Sequence, residues 1–137
     1  MSITDLEREE INNAAKFLIN IGYCKLEDQY SIKYTLNGVS INIVYSPNSG
    51  ESEVNIHFIT TNQFYSIGWI ALVRDNFRGS NNKLANVKEL LKYVENNYLQ
   101  ITNYKFCQTS QTLIDHYVEK NHIIFENSIL DFLKNNK

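Results

Sequence analysis

Phe64-Tyr65-Ser66-Ile67-Gly68-Trp69-Ile70-Ala71-Leu72-Val73-Arg74 is the longest nearly uncharged run in the sequence, and the fold turns on how it is read. Its odd positions, Tyr65, Ile67, Trp69, Ala71 and Val73, are all apolar, and at least half of its even positions are too. At period two the run reads as the central strand of a sheet. A strand apolar on both faces lies between two layers or offers one face to a partner, because wet apolar surface costs roughly 25 cal/mol per Å2.

The segments before it alternate more cleanly. Tyr30-Ser-Ile-Lys-Tyr-Thr-Leu36 and Val39-Ser-Ile-Asn-Ile-Val-Tyr45 flank Asn37-Gly38, the strongest short hairpin signal in a sequence. A two-residue turn there pairs Leu36 with Val39, Tyr34 with Ile41, Ile32 with Ile43 and Tyr30 with Tyr45, giving one wholly apolar face. The other face carries Ser31, Lys33, Thr35, Ser40 and Asn42. Pro47 and Gly50 lie in the turn-rich loop that ends the second strand. Val54, Ile56 and Phe58 then alternate with Asn55, His57 and Ile59 in a third strand. A two-residue turn at Thr61-Asn62 sets Phe58 against Tyr65, Ile56 against Ile67 and Val54 against Trp69.

Helical signals frame this meander. Thr4 and Glu7 have capping-box spacing, Leu6, Ile11, Ala14, Ala15, Leu18 and Ile21 supply an apolar stripe, and Gly22 a stop. Leu84, Val87, Leu90, Leu91, Val94 and Tyr98 form a second stripe, expected to cover the sheet. Residues 101–107 read as a short fifth strand or an extended connector. Ser110 suits the cap of a third helix, and Asn127-Ser128 the start of a last one with Ile129, Leu130, Phe132 and Leu133. The expected fold is a single α+β domain over residues 1–137. It has an antiparallel meander of four or five strands, an N-terminal helix and two or three C-terminal helices packed on it.

Composition narrows the function classes. A formal net charge of −2 carries no electrostatic footprint for a polyanion, so nucleic acid is not an expected partner. The polar, acidic opening residues lack the basic start and apolar middle of a secretion signal, and no window approaches the ~20 apolar residues that cross a bilayer. A soluble, cytoplasmic protein with no membrane partner is the expectation. Cys24 and Cys107 lie far apart and suit two free thiols in a reducing compartment.

Catalytic motifs are missing. His116 and Glu119 are helical neighbours, but His122 falls roughly 240° around the axis from His116, so no metal site is expected. His57 points toward Ser66 in the register above, yet Ser66 sits in no nucleophile-elbow context. The 74–83 connection holds Arg74 and Arg78 but only Gly79-Ser80 of a phosphate loop. No cofactor is expected.

With the half-apolar outer sheet face, this favours recognition over catalysis. His57, Ile59, Phe64, Ile70, Leu72, Arg74 and Arg78 form the expected partner-binding set, since a patch of this kind is normally covered. The 64–74 strand followed by the helix of the Leu84-to-Tyr98 stripe resembles the small immunity proteins that accompany bacterial polymorphic or contact-dependent toxins. That resemblance implies a cytoplasmic protein that occludes the active site of a cognate toxin. The alternatives are a small enzyme or ligand binder with a pocket between sheet and helices, using His57, Tyr65 or Trp69, and a homodimer sealed through the same patch.

Overall fold

The computed structural model describes residues 2–48, 50–79 and 85–135, with side chains described through residue 122. Helices α1 (Asp5–Ala14) and α2 (Lys16–Ile21) precede strands β1 (Cys24–Glu27), β2 (Ser31–Leu36), β3 (Val39–Ser46), β4 (Glu51–Phe58) and β5 (Gln63–Ser66). Helices α3 (Ile67–Asp75), α4 (Val87–Asn96), α5 (Tyr98–Ile101) and α6 (Tyr104–Asn135) complete the chain. The strands form one antiparallel sheet in the order β1-β2-β3-β4-β5. The expected α+β meander with an N-terminal helix and C-terminal helices is therefore present.

Thr4 caps α1 through the expected box, its hydroxyl accepting from Glu7 N at 3.2 Å, and the chain breaks at Ala15 before resuming as α2. Gly22, at φ +124°, ends α2 in a conformation that disfavours a side chain. Ile11, Ala15 and Leu18 are buried as the stripe requires, while Leu6 and Ile21 face solvent. β1 follows, a strand too short and too charged to show in the sequence pattern. Asp28 turns the chain into β2: its carboxylate accepts from Tyr30 N at 2.9 Å and Ser31 N at 2.8 Å. These hydrogen bonds, Tyr30's foremost, hold its pKa below the ordinary value.

The hairpin register is the expected one, with Leu36 opposite Val39, Tyr34 opposite Ile41 and Ile32 opposite Ile43. Asn37 (φ +48°) and Gly38 (φ +83°) both adopt the left-handed conformation that a type I′ turn demands. β3, not the 64–74 run, is the central strand.

That run is the main correction. Only its first three residues extend β5, and the rest is α3. Ser66 makes the switch, its hydroxyl accepting from Trp69 N at 3.3 Å as an N-cap. An apolar run supports period two and period 3.6 alike, and here the helix buries Ile67, Ile70, Ala71 and Leu72. The β4–β5 register also differs: Ile56 faces Tyr65, and Phe58 faces Gln63 across a four-residue turn closed by Asn62 at φ +53°. The two-residue shift keeps the side chains of β4 and β5 on their expected faces.

Asn86 starts α4 with a second capping box, accepting from Glu89 N at 2.9 Å, and Leu90, Leu91, Tyr93 and Val94 are buried. Leu84 lies outside the described residues. Residues 101–107 are not extended: they are the last residue of α5, a turn at Thr102 and Asn103, and the first turn of α6. Asn103, not Ser110, caps α6 by accepting from Phe106 N at 3.0 Å. Ser110 lies inside α6, which runs unbroken through 127–128 with no new start there. The side chains of Ile129, Leu130, Phe132 and Leu133 lie outside the described residues.

The core fills one face of the sheet. Ile32, Tyr34, Ile41, Ile43, Val54 and Ile56 from the strands meet Leu18, Ile67, Ile70, Leu91, Val94 and Ile101 from the helices. Edge-on aromatic contacts from Tyr104 to Phe58 and Tyr65 bring the start of α6 to this face, with ring centroids 5.3 and 6.3 Å apart.

Candidate functional site

The opposite sheet face carries Lys33 and Thr35 of β2, Ser40, Asn42 and Val44 of β3, Glu53, Asn55 and His57 of β4, and Phe64 of β5. Its centre is a ladder of short polar side chains. Thr35 Oγ1 donates to Ser40 Oγ at 3.3 Å, Ser40 Oγ to Asn42 Oδ1 at 2.5 Å, and Asn42 Nδ2 to Asn55 Oδ1 at 3.1 Å. Ser40 and Asn42 are buried, their polar atoms satisfied by one another.

Apolar surface gathers at the β5 side. His57 and Phe64 are directly opposed, and their rings stack at 3.9 Å between centroids, 3° from parallel. The hydrogen-bond phase explains the closeness. Ile59 N donates to Gly38 O, so the odd residues of β4 bond to β3, and His57 faces Phe64 as a non-hydrogen-bonded pair, whose side chains approach most closely. His57 Nε2 also meets Asn62 Oδ1 at 2.9 Å, so the turn residue fixes the ring. Phe64 is 55% exposed and Ile59 45%.

Ser66 links this patch to a cleft of about 690 Å3 between the start of α3 and the middle of α6. Trp69, Ile114 and Val118 supply its apolar wall, and Asp115 and Glu119 its acidic side. The Trp69 and Tyr117 rings meet edge-on at 6.0 Å, setting the spacing of the two helices there. Among the described residues that line it, none is Lys or Arg.

The expected partner-binding residues therefore divide. His57 and Phe64 come together on the open face, and Ile59, just past the end of β4, is exposed. Ile70 at 0% and Leu72 at 6% exposure belong to the core, because residues 67–75 are a helix whose buried side they form. Arg74 is a clamp between helices: Nε donates to Ser110 Oγ at 2.9 Å, Nη2 to Thr109 Oγ1 at 2.8 Å, and the guanidinium lies 4.4 Å from the centre of the Phe106 ring. Arg78 bonds within its own loop, Nε to Asn76 Oδ1 at 3.2 Å.

His57 does not point toward Ser66 as the expected register had it, since Ser66 stands opposite Asn55 and caps α3. Nor do His57, Tyr65 and Trp69 share a pocket: His57 is on the open face, Tyr65 in the core and Trp69 in the cleft. Cys107 is buried, its Sγ donates to Ile101 O at 3.1 Å, and burial pushes its thiol up to about 12. Among the described residues no three His, Cys, Asp or Glu side chains converge as a metal site. No helix among them is long and apolar enough to cross a membrane.

A second concavity, about 730 Å3, runs between α1–α2 and α4 over Phe17 and Phe77. Its charged rim is partly engaged, with Lys92 Nζ 3.0 Å from Glu95 and Glu89 held in the α4 cap.

Sequence reasoning missed Asn62 and the Ile114–Val118 segment. The first was hidden by the wrong turn length; the second carries a legible helical stripe at Leu113, Ile114, Tyr117 and Val118, but its place against Trp69 shows only once 67–75 is a helix. Comparison with protein-family models, with curated proteins and with solved structures returns no match for this chain.

Proposed function

We propose that this chain is a protein-recognition module that binds a cognate protein through its β5 side. The observation that carries the reading is the continuity of the accessible His57–Phe64 stack and Ile59 with the Trp69–Ile114–Val118 cleft through the shared Ser66. Aromatic and aliphatic anchors in a concave surface beside a polar sheet face are what a protein interface uses for affinity and orientation. The acidic side formed by Asp115 and Glu119 favours a partner segment that carries a basic side chain among apolar ones. Within this class, the resemblance to toxin-immunity proteins makes the partner a toxin, neutralised in the cytoplasm by occlusion of its active site.

The test is capture from the native host with tagged wild-type protein and with Phe64→Asp, whose exposed site tolerates a charge. One stoichiometric protein should be recovered with the wild type and lost with the variant. Expressed alone, that protein should arrest growth, and co-expression of this chain should relieve the arrest. Equal capture by Phe64→Asp would remove the β5 side from the interface, and a captured protein without toxicity would leave recognition standing but remove the toxin.

A further inference from the structure

The sheet has two edges, and they differ. β5 is cut short where Ser66 turns the chain into α3, whereas all four residues of β1 are exposed at the other edge, with Leu26 73% exposed. The direction of the free backbone groups of β1 follows from the ladder. Asp28 N donates to Ser31 O at 2.9 Å, which makes 28 and 31 a hydrogen-bonded pair. Alternation then makes Leu26–Lys33 and Cys24–Thr35 bonded pairs. The other side of β2 agrees: Tyr45 N donates to Tyr30 O, so the even residues of β2 bond to β3 and its odd residues to β1. The N–H and C=O groups of Lys25 and Glu27 therefore point away from the sheet.

An antiparallel copy of β1 can use those groups only where odd residues face odd residues, which leaves three two-fold registers. One sets Lys25 against Lys25 and another Glu27 against Glu27, both repulsive. The third centres on Leu26. It sets Lys25 against Glu27 of the second copy twice over, closing four backbone hydrogen bonds, and brings the two Leu26 side chains together as the close, non-hydrogen-bonded pair. Edge strands are normally blunted by charge. Here the charges repel in two registers and attract in the third.

We propose that β1 docks against β1 of a second copy in this register, joining two sheets into one of ten strands. The contact is small, so association is weak and concentration-dependent. It leaves the β5 side of each copy free, giving a two-headed recognition module, and it does not depend on the function proposed above.

Light scattering on the full chain tests it. The apparent mass should rise with concentration from 16.0 kDa toward twice that value. Lys25→Glu and Glu27→Lys should each stay at one chain, and an equimolar mixture of the two should recover the dimer, because each strand then complements the other. Phe64→Asp should dimerise like the wild type. In a Cys24→Ser background, Leu26→Cys should form an intermolecular disulfide on oxidation and Lys33→Cys should not. Glu27→Lys also loses the 2.9 Å ion pair with Arg8, so Lys25→Pro serves as a second disruptor that removes an outward N–H and no β2 bond. A wild-type mass of one chain throughout, or dimerisation undisturbed by Lys25→Glu or Lys25→Pro, would overturn the proposal.

Discussion

Replacing Arg74 with alanine separates two roles for this residue, partner contact and internal clamp. The side chain donates to Ser110, to Thr109 and, at 3.4 Å, to Phe106 O, and it covers the Phe106 ring. A hydrogen bond from a charged donor contributes about 1.5–3 kcal/mol, and a cation–π contact about 0.5–1 kcal/mol where partly solvated. The truncation leaves little orphaned, because Ser110 Oγ still donates to Phe106 O at 2.6 Å and Thr109 Oγ1 to Lys105 O at 3.0 Å. The guanidinium regains hydration in the unfolded chain, so the contributions do not sum. The expected loss is about 2 kcal/mol, or about 1 M in the urea midpoint for a domain of this size. Arg74→Lys keeps the charge but not the fork, and should fall between the two. Urea unfolding followed by circular dichroism measures this directly. A loss below about 0.5 kcal/mol for Arg74→Ala, with weakened partner capture, would refute the clamp and return Arg74 to the interface.

Two further outcomes follow from burial. Ile70→Asp and Leu72→Asp place a carboxylate in the core and should each cost more than about 4 kcal/mol, enough to abolish folding, as thermal melts and proteolysis would show; a folded Ile70→Asp protein would contradict the helical reading of 67–75. Cys107 holds its proton in the folded chain up to about 12 against an ordinary 9.0, so the folded state binds the proton more tightly between those values. Its contribution is complete below pH 9.0 and is lost as pH rises through that window. Iodoacetamide at pH 8 should accordingly label Cys24 alone in the native protein and both thiols in denaturant, as mass spectrometry would resolve.

How much was legible depended on whether a residue type admits one backbone reading. Asn37-Gly38 does, and the hairpin register followed to the residue. The capping boxes at Thr4–Glu7 and, once seen, Asn86–Glu89 are equally local. The 64–74 run does not, since only the hydroxyl of Ser66 marks where period two ends, and a serine before apolar residues is a modest signal. That single switch moved Ile70 and Leu72 from an imagined surface to the core. It also moved the sheet's centre from the run to β3. β1 was invisible because Cys24-Lys25-Leu26-Glu27 alternates over only four residues, all of them exposed, which is too short a run to stand out from a loop. The proposed recognition surface was half legible: His57 and Phe64 stand on the outer face of adjacent strands, where period-two alternation puts them, whereas Trp69 meets Ile114 and Val118 only through tertiary packing.

The strand order has a consequence for synthesis of the chain. Every strand pairs with its neighbours in sequence, so the sheet can assemble one strand at a time as the nascent chain emerges, each step closing only a short loop. The helices that dry its inner face are a different matter. α1, α2 and α3 can close on the meander as soon as it forms, but α4, α5 and α6 come later, so the part of the inner face that Leu91, Val94 and Ile101 dry stays wet until those helices have been delivered. In that interval the half-covered sheet is the species that a chaperone would hold or a neighbour would capture, and the rate at which α4 arrives governs the yield of folded protein.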